Sequence, residues 1–421
     1  MDGARRALVA DGLTLTYTQL AERADQAARL LAARGVGPGD RVAVLLPPGV
    51  DFAALVHALP RLGAVLVPVN TRLSAGERDW LIADAGARVV VEEPLAGDEA
   101  DVELLTGVDP SEPHCVIYTS GTTSRPKPVV LTYANHLASA QASAAHLGVE
   151  PGDAWLGVLP LFHVGGLQVL LRSAIYGTTA VIEPGFDAER VRALLENGDV
   201  TLASFVATMV RRLREAGWER APRLRAALIG GGPVPRDLLE WAAEKRLPLV
   251  QTYGMTETAS QVVTAAPGVD SRARPLPGVE LSTTPEGELL VRGPMVSSGA
   301  LSGDGWLHTG DRGHVDPDGC VHIEGRIGDT IVTGGENVAA AEVEEALLSH
   351  PAVRDAGVVG RADPEWGQVV VAYVVADGVT DDELLAHARG RLAGYKLPKA
   401  IHRMDALPRN AAGKLVRRRL K

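Results

Sequence analysis

The chain has 421 residues, 46% of them hydrophobic and 22% charged, with a net charge of −10. That length calls for about two or three domains, and the acidic balance argues against nucleic acid as the main partner, since phosphate backbones need a basic face. No apolar run approaches the roughly 20 residues that cross a bilayer, the start MDGARRALVADG lacks an apolar signal core, and Cys115 and Cys320 are too few for a disulfide framework or a metal cluster. The expectation is a cytoplasmic protein without membrane insertion and with reduced core thiols.

The predicted elements begin with a helix over TYTQLAERADQAARLLAARG, with Thr18 as a cap and Gly35 as a stop. RVAVLL reads as a buried strand, DFAALVHALPRLG as a helix interrupted by Pro60, and AVLVPVN and CVIYT as strands. The alternation resumes with ANHLASAQASAAHLG (helix), AWLGVLP (strand), GGLQVLLRSAIYG (helix) and TTAVIEP (strand), and runs on to PLVQTYG. Such alternation predicts α/β architecture, with parallel sheets covered by helices. From about Arg274 the character changes: PLPGVELSTTPEGELLVRGP and GHVDPDGCVHIEG show short strands joined by Gly, Pro and Asp turns, an antiparallel β unit. GRIGDTIVTGGENV is glycine-rich and reads as a linker. Beyond it come helix AAEVEEALLSH, strands DAGVVG and VVVAYVV, helix DDELLAHARGRL and strand KAIHRM, a compact α+β pattern. We therefore expect a large unit, 1–325, and a small one, 326–421.

Chemistry concentrates in four segments. YTSGTTSRPK, residues 118–127, follows the strand CVIYT and sets the hydroxyls of Thr119, Ser120, Thr122, Thr123 and Ser124 around Gly121, ending on Arg125 and Lys127. A loop of this kind can wrap polyphosphate oxygens with N–H groups, O–H donors and a cation. QTYGMTETASQ follows the strand PLV, so it sits at a strand's carboxyl end, where open α/β sheets bind ligands. There Thr256 and Glu257 place a hydroxyl beside a carboxylate suited to Mg²⁺, Tyr253 can stack on a base or pack in the core, and Gly230, Gly231 and Gly232 let a flat ring approach the backbone. WLHTGDRG offers Asp311, a carboxylate able to accept both ribose hydroxyls, or an ordinary Asx turn. PRNAAGKLVRR places Asn410 and Gly413 in a tight turn that presents Lys414, while the last four residues read as a solvated helix end. His163, between an apolar strand and a helix, is equally a structural histidine or a substrate-gate residue.

In this order, over roughly Leu13 to Arg418, the segments resemble the adenylate-forming superfamily of acyl-CoA synthetases, peptide-synthetase adenylation domains and luciferases. The matching stretches are Ser120–Pro128, Tyr253–Glu257, Thr309–Asp311, Gly325–Asp329 and Pro408–Lys414. The resemblance implies ATP, Mg²⁺, CoA and a carboxylic acid as ligands. It implies that Thr119 to Thr123 and Lys127 hold phosphates, that Glu257 binds Mg²⁺ and Thr256 the α-phosphate, and that Gly231, Gly232, Tyr253 and Gly254 lie at the adenylate. Asp311 and Arg326 would hold the ribose, and Lys414 would bridge the attacking carboxylate and the α-phosphate. Asp329 would be the hinge of the small domain, and Gly334 and Gly335 would line a pantetheine tunnel. The departures are Ser124 and Pro128 in place of glycines, Gly328 before the hinge aspartate, and Ala340 where a proline often opens a helix.

The finer resemblance is to the o-succinylbenzoate–CoA ligases of menaquinone biosynthesis, carried by PLFHVGGLQVLLRSAIYG, IGGGPVP and QTYGMTETASQ. Their acid has two carboxylates, and the resemblance implies that His163, Ser260 and Arg172, nine residues after His163, meet the substrate. Arg172 can pair bidentately with the distal carboxylate, or it can lie on the solvated side of a core helix. The rival readings are a CoA ligase for another aryl or medium-chain acid, an enzyme loading a carrier-protein thiol, and a nucleotide-binding protein that no longer catalyses. A homo-oligomer is compatible with all of them.

Overall fold

In the computed structural model, the described residues are 2–119, 126–266, 272–333, 336–410 and 413–420. Two mostly parallel sheets form the body. The larger runs Ala273–Pro275, Ser260–Ala265, Leu249–Met255, Ala226–Ile229, Leu202–Phe205, Ala154–Gly157, Thr179–Ile182, Arg6–Ala10, Leu13–Thr16. Its interior pairs are parallel, and antiparallel strands close both edges. The second is ordered Val89–Val91, Arg41–Val44, Val65–Pro68, Pro113–Thr119, Lys127–Thr132, with only the last pair antiparallel. Segments such as VLVP, AWLG and TAVI are buried along their whole length. Strands covered by helices on both faces need apolar residues on both, hence the continuous hydrophobic runs.

Helices Tyr17–Ala33, Val50–Ala58 and Val164–Tyr176 contribute to the core shared by these sheets, where Leu8, Leu31, Leu55, Leu66, Ile117 and Leu167 are wholly buried. The other face of the larger sheet is covered by Ala188–Asn197, Ala207–Glu215 and Arg236–Glu244, around Trp218 and Phe205. The first helix is capped two residues earlier than expected. Thr16, not Thr18, takes the Gln19 N–H, and Gln19 Oε1 takes the Thr16 N–H, closing a capping box. Thr18 donates instead to the Gly3 carbonyl. Pro60 ends the second helix as expected, in a 3₁₀ turn over Leu59–Leu62.

The β unit after Arg274 is a four-stranded antiparallel sheet, Glu280–Thr283, Glu288–Arg292, Leu307–Val315, Val321–Arg326. The described residues of the glycine-rich segment read as a linker are instead regular secondary structure. A 3₁₀ turn, Ile327–Asp329, leads into Thr330–Thr333, which pairs antiparallel with Glu336–Ala339. The β-branched run TIVT explains this, since Ile331 is buried against Val338 in the C-terminal core. That core lies between helices Ala340–Leu348 and Asp381–Arg389 and the long hairpin Val353–Asp363/Gly367–Ala376, with Ala400–Arg403 parallel to the latter. Trp366, at the hairpin's end, is exposed beneath the Lys399 ammonium, 5.4 Å from its ring centre. Nor is the chain's end simply solvated. Arg418 and Arg419 are exposed, but Leu420 is buried against Val371 and Tyr373, and its carbonyl accepts a 2.6 Å bond from Arg361. Among the described residues no helix is long and apolar enough to cross a membrane.

Candidate active site

At the carboxyl end of the larger sheet, the backbone is drawn into one tight turn. The strand Leu249–Met255 runs into a 3₁₀ turn over Thr256–Thr258, and then Ala259 (φ 50°) and Ser260 (φ 107°) adopt left-handed conformations unusual for residues with side chains. Gly254 makes this possible, because a Cβ there would sit 1.8 Å from the Ser260 carbonyl. Strain of this kind persists only where the surroundings impose it. Here the Ala259 carbonyl accepts hydrogen bonds from Ser139 Oγ (2.9 Å) and Gln168 Nε2 (2.8 Å), both buried. Ser297 ties the turn to the neighbouring hairpin: its N–H donates to the Glu257 carbonyl (2.8 Å) and its hydroxyl to the Val130 carbonyl (2.7 Å). That hairpin pairs Thr119 with Lys127. Ser120, Gly121, Thr122, Thr123 and Ser124 lie outside the described residues, as do Gly334 and Gly335.

A cleft of about 1050 Å³ opens beside this turn. Gly231, Gly232, Tyr253 and Gly254 line one wall. Asp311 and Arg326, from the four-stranded sheet, line another, and Asp329 and Lys414 complete it from the C-terminal part. Asp311 is buried, takes the Tyr253 hydroxyl at 2.7 Å on one oxygen and pairs with Arg326 Nε at 2.8 Å on the other. Burial and the adjacent Asp311 push the Tyr253 phenol far above its usual range, so it remains a neutral donor. Lys414 is held by a turn in which Gly413 N–H donates to the Asn410 carbonyl (2.9 Å) and Lys414 N–H to Asn410 Oδ1 (2.9 Å), with Gly413 at φ 76°. Gly413 packs near Val206 and Thr208 of the large sheet's rim. The cleft walls desolvate the Lys414 ammonium and Arg326 repels it, which lowers its pKa, while Asp311 and Asp329 oppose the shift.

Thr256, Glu257, Ser260, His163, Arg172, Thr119 and Lys127 do not line this cleft. Glu257 is half-buried, and its carboxylate has no hydrogen bond or ion pair among the described residues, a donor left over for a cation. His163 caps the helix Val164–Tyr176, and its buried Nε2 has no partner among the described residues. Burial, followed by Arg72, lowers its pKa to about 4, so the ring is neutral. Arg172 is not on a solvated helix side. It is wholly buried over Trp155, donating to Ser139 Oγ (2.9 Å) and to Gln261 Oε1, with Nε unpaired and no carboxylate partner among the described residues. Beside it, Gln168 donates to His136 Nδ1 (3.0 Å), which leaves the His136 Nε2–H facing Cys115 Sγ at 3.4 Å. Both cysteines are free and buried, in agreement with the sequence reading.

Residues 2–107 and 92–301 match the family model described as AMP-binding enzyme, and residues 342–414 match the AMP-binding enzyme C-terminal domain. The chain belongs to the AMP-binding enzymes. This AMP-binding enzyme is 43% identical to the 2-succinylbenzoate–CoA ligase of Geobacillus kaustophilus, over 99% of this chain and 94% of that protein. Its fold matches o-succinylbenzoate CoA synthetase from Bacillus subtilis in complex with the acyl-adenylate intermediate OSB-AMP, at 36% identity and TM-score 0.94, over 100% of this chain and 96% of that one. The same Bacillus subtilis protein with ATP and magnesium ion aligns at 0.91 over 100% and 97%, also at 36% identity. A double mutant of it bound with a product analogue, OSB-NCoA, aligns at only 0.74, with identity still 36% and coverage 99% and 95%.

Two features of this AMP-binding enzyme's site escaped sequence reasoning. Ser297 acts through backbone contacts that no local motif announces. Arg417 was hidden within a basic run, yet it is half-buried and pairs with both Asp329 and Glu344.

Proposed function

We propose that this AMP-binding enzyme is an o-succinylbenzoate–CoA ligase that works in two half-reactions, with residues 1–325 as the large domain and 326–421 as the mobile one. In the first, the acid's carboxylate oxygen attacks the α-phosphorus of ATP, forming acyl-AMP and releasing pyrophosphate. In the second, the CoA thiol attacks the acyl carbonyl, AMP leaves and the thiol proton passes to solvent. The observation that carries this reading is Lys414 sharing one cleft with Asp311 and Arg326 although they belong to the four-stranded sheet and it belongs to the C-terminal part. Two anionic reactants repel, and a cation between them removes most of that penalty. At 4 Å and an effective dielectric of 20, one charge pair is worth about 4 kcal/mol.

Asp311 accepts the ribose hydroxyls with Arg326 holding its second oxygen, and the glycines at 231–232 leave room for the purine. Glu257, with a carboxylate free of protein partners among the described residues, fits Mg²⁺, which supplies charge neutralisation at the triphosphate. The hairpin at Thr119 and Lys127 carries the phosphate loop. Arg172 is a buried cation without a carboxylate partner among the described residues, which suits the second carboxylate of a diacid. His163 presents a neutral ring towards the acid, and Ser260 belongs to the same strained turn as Glu257. ATP and CoA are cytoplasmic metabolites, which supports a cytoplasmic place for the reaction.

Acid-dependent ATP–pyrophosphate exchange tests this, run with o-succinylbenzoate, benzoate and a medium-chain acid, followed by product analysis with CoA and with a holo-carrier protein. Exchange strongest with the diacid, and a CoA thioester as product, are expected. Preference for a monoacid or for the carrier protein would replace the substrate assignment, and no exchange with any acid would overturn the enzyme reading.

A further inference from the structure

Arg417 has all three guanidinium nitrogens engaged. Nε donates to the Val358 carbonyl (3.2 Å), NH2 meets both oxygens of Glu344 (2.8 Å each), and NH1 donates to Asp329 Oδ2 (2.8 Å). Glu344 is itself buried on the helix Ala340–Leu348, and one of its oxygens also takes the Val358 N–H at 2.7 Å. A planar fork bonded through each of its nitrogens is a rigid group. Glu344 and Val358 fix Arg417 to the C-terminal core, and the remaining arm reaches Asp329, the residue at which the chain leaves the four-stranded sheet.

Three residues before Arg417 stands Lys414. The turn that carries it is pinned on its other side by Arg409, which pairs with Asp355 (2.7 Å) and donates to the Gly413 carbonyl (2.6 Å). The backbone between the two arginines is closed by Val416 N–H to the Pro408 carbonyl, 2.8 Å. Lys414 is therefore suspended between one arginine tied to the hairpin and another tied to the point of exit from the large domain. Any rotation of the C-terminal part about residue 329 must carry Arg417 with it and change the Asp329–Arg417 contact, because Glu344 holds Arg417 to the rotating side.

We infer that Arg417 is a positioning residue for adenylation: its ion pair with Asp329 holds the C-terminal part in the orientation that brings Lys414 to Asp311 and Arg326. Arg417 does not touch the reactants; it acts through Lys414 and Asp329. The inference rests on the two-step ligase reading above. It assigns a cost to leaving the first orientation, so loss of the pair weakens the adenylating state and leaves thioester formation nearly untouched.

The test is a double-mutant cycle on the full chain with Arg417→Gln, Asp329→Asn and the pair together. Each half-reaction is measured separately: o-succinylbenzoate-dependent ATP–pyrophosphate exchange, and CoA transfer from pre-formed acyl-adenylate. Asp329→Asn is expected to slow exchange about tenfold, the scale for one charge-assisted hydrogen bond, and Arg417→Gln at least as much because it also loses Glu344 and Val358, with CoA transfer by Arg417→Gln within about twofold of the parent. The double variant should be no slower than the slower single one, since both remove the same contact. Circular dichroism and urea midpoints of the same preparations show that the variants are folded. Equal loss in both half-reactions, or multiplicative losses in the double variant, would overturn the inference while leaving the ligase reading intact. No exchange by the parent enzyme would overturn both.

Discussion

Tyr253 and Asp311 join two sheets across the cleft: the phenol at the end of Leu249–Met255 donates a 2.7 Å hydrogen bond to the carboxylate on Leu307–Val315. Arg326 Nε holds the other oxygen at 2.8 Å, and Arg326 NH1 also donates to the Thr309 carbonyl at 3.1 Å. The carboxylate proposed to meet the ribose is thus held by protein contacts on both oxygens.

Removing that phenol should cost nucleotide affinity. Tyr253→Phe is expected to raise KM for ATP about tenfold, near the lower bound for a hydrogen bond to a charged group, with little change in kcat. Steady-state kinetics with ATP varied will decide. An unchanged KM with a collapsed kcat would show that the contact serves chemistry rather than binding.

Lys414→Ala should lower adenylation by at least about 10²-fold, the scale for losing one charge-stabilising donor, and CoA transfer from pre-made adenylate far less. A pH profile adds a second reading. Desolvation, with Arg326 next, lowers the Lys414 pKa, so the required ammonium is lost as pH rises through a value below the roughly 10.4 of an ordinary lysine. Adenylation should therefore decline on the alkaline side earlier than that, and CoA transfer should lack the same limb.

For Arg172, selectivity and stability give separate signals. Arg172→Met removes the buried donor to Ser139 Oγ and one of the two to Gln261 Oε1, which keeps the Ser143 hydroxyl, and should destabilise the fold by about 2 kcal/mol in urea titration. If the guanidinium also meets the distal carboxylate, kcat/KM should fall much further for o-succinylbenzoate than for benzoate. Parallel losses for both acids would leave Arg172 as support for the strained turn alone.

Buried neutral histidines predict acid sensitivity. His57 is lowered to about 4 by burial and then by Arg61, His114 to about 3 by burial and then by His57, and His136 lies well below its usual range. Unfolding restores pKa values near 6.5, so below that the unfolded chain binds more protons than the native one. Stability should be fully present above about pH 6.5 and fall as the pH drops towards the folded values. Urea midpoints at pH 7.5 and 5.0 check this, and His57→Gln should flatten the slope. A midpoint independent of pH would contradict the neutral assignment.

Much of the body was legible because buried parallel strands are apolar on both faces: RVAVLL, AWLGVLP and TTAVIEP each contain a strand of the expected kind. The motif Tyr253 to Glu257 could be picked out because its residues are contiguous, and of these Tyr253 and Gly254 line the cleft while Thr256 and Glu257 do not. The segment 325–338 was misread, since its glycines outweighed the short TIVT run that pairs and packs. Thr18 was mistaken for the cap because either threonine suits that role, and the choice is made by Gln19, three residues beyond Thr16. Arg417 and Ser297 were invisible for a different reason. Their partners, Asp329, Glu344, Glu257 and Val130, are distant in sequence, and only folding brings them together.

Of the chain's six tryptophans, Trp366 is the last and the sole one after Arg326. It is solvent-exposed under Lys399, while Trp155 and Trp218 are interred in the body. Intrinsic fluorescence can therefore be divided: iodide should quench the Trp366 emission first, giving a label-free reporter of the C-terminal part while ATP, acid and CoA are added in turn.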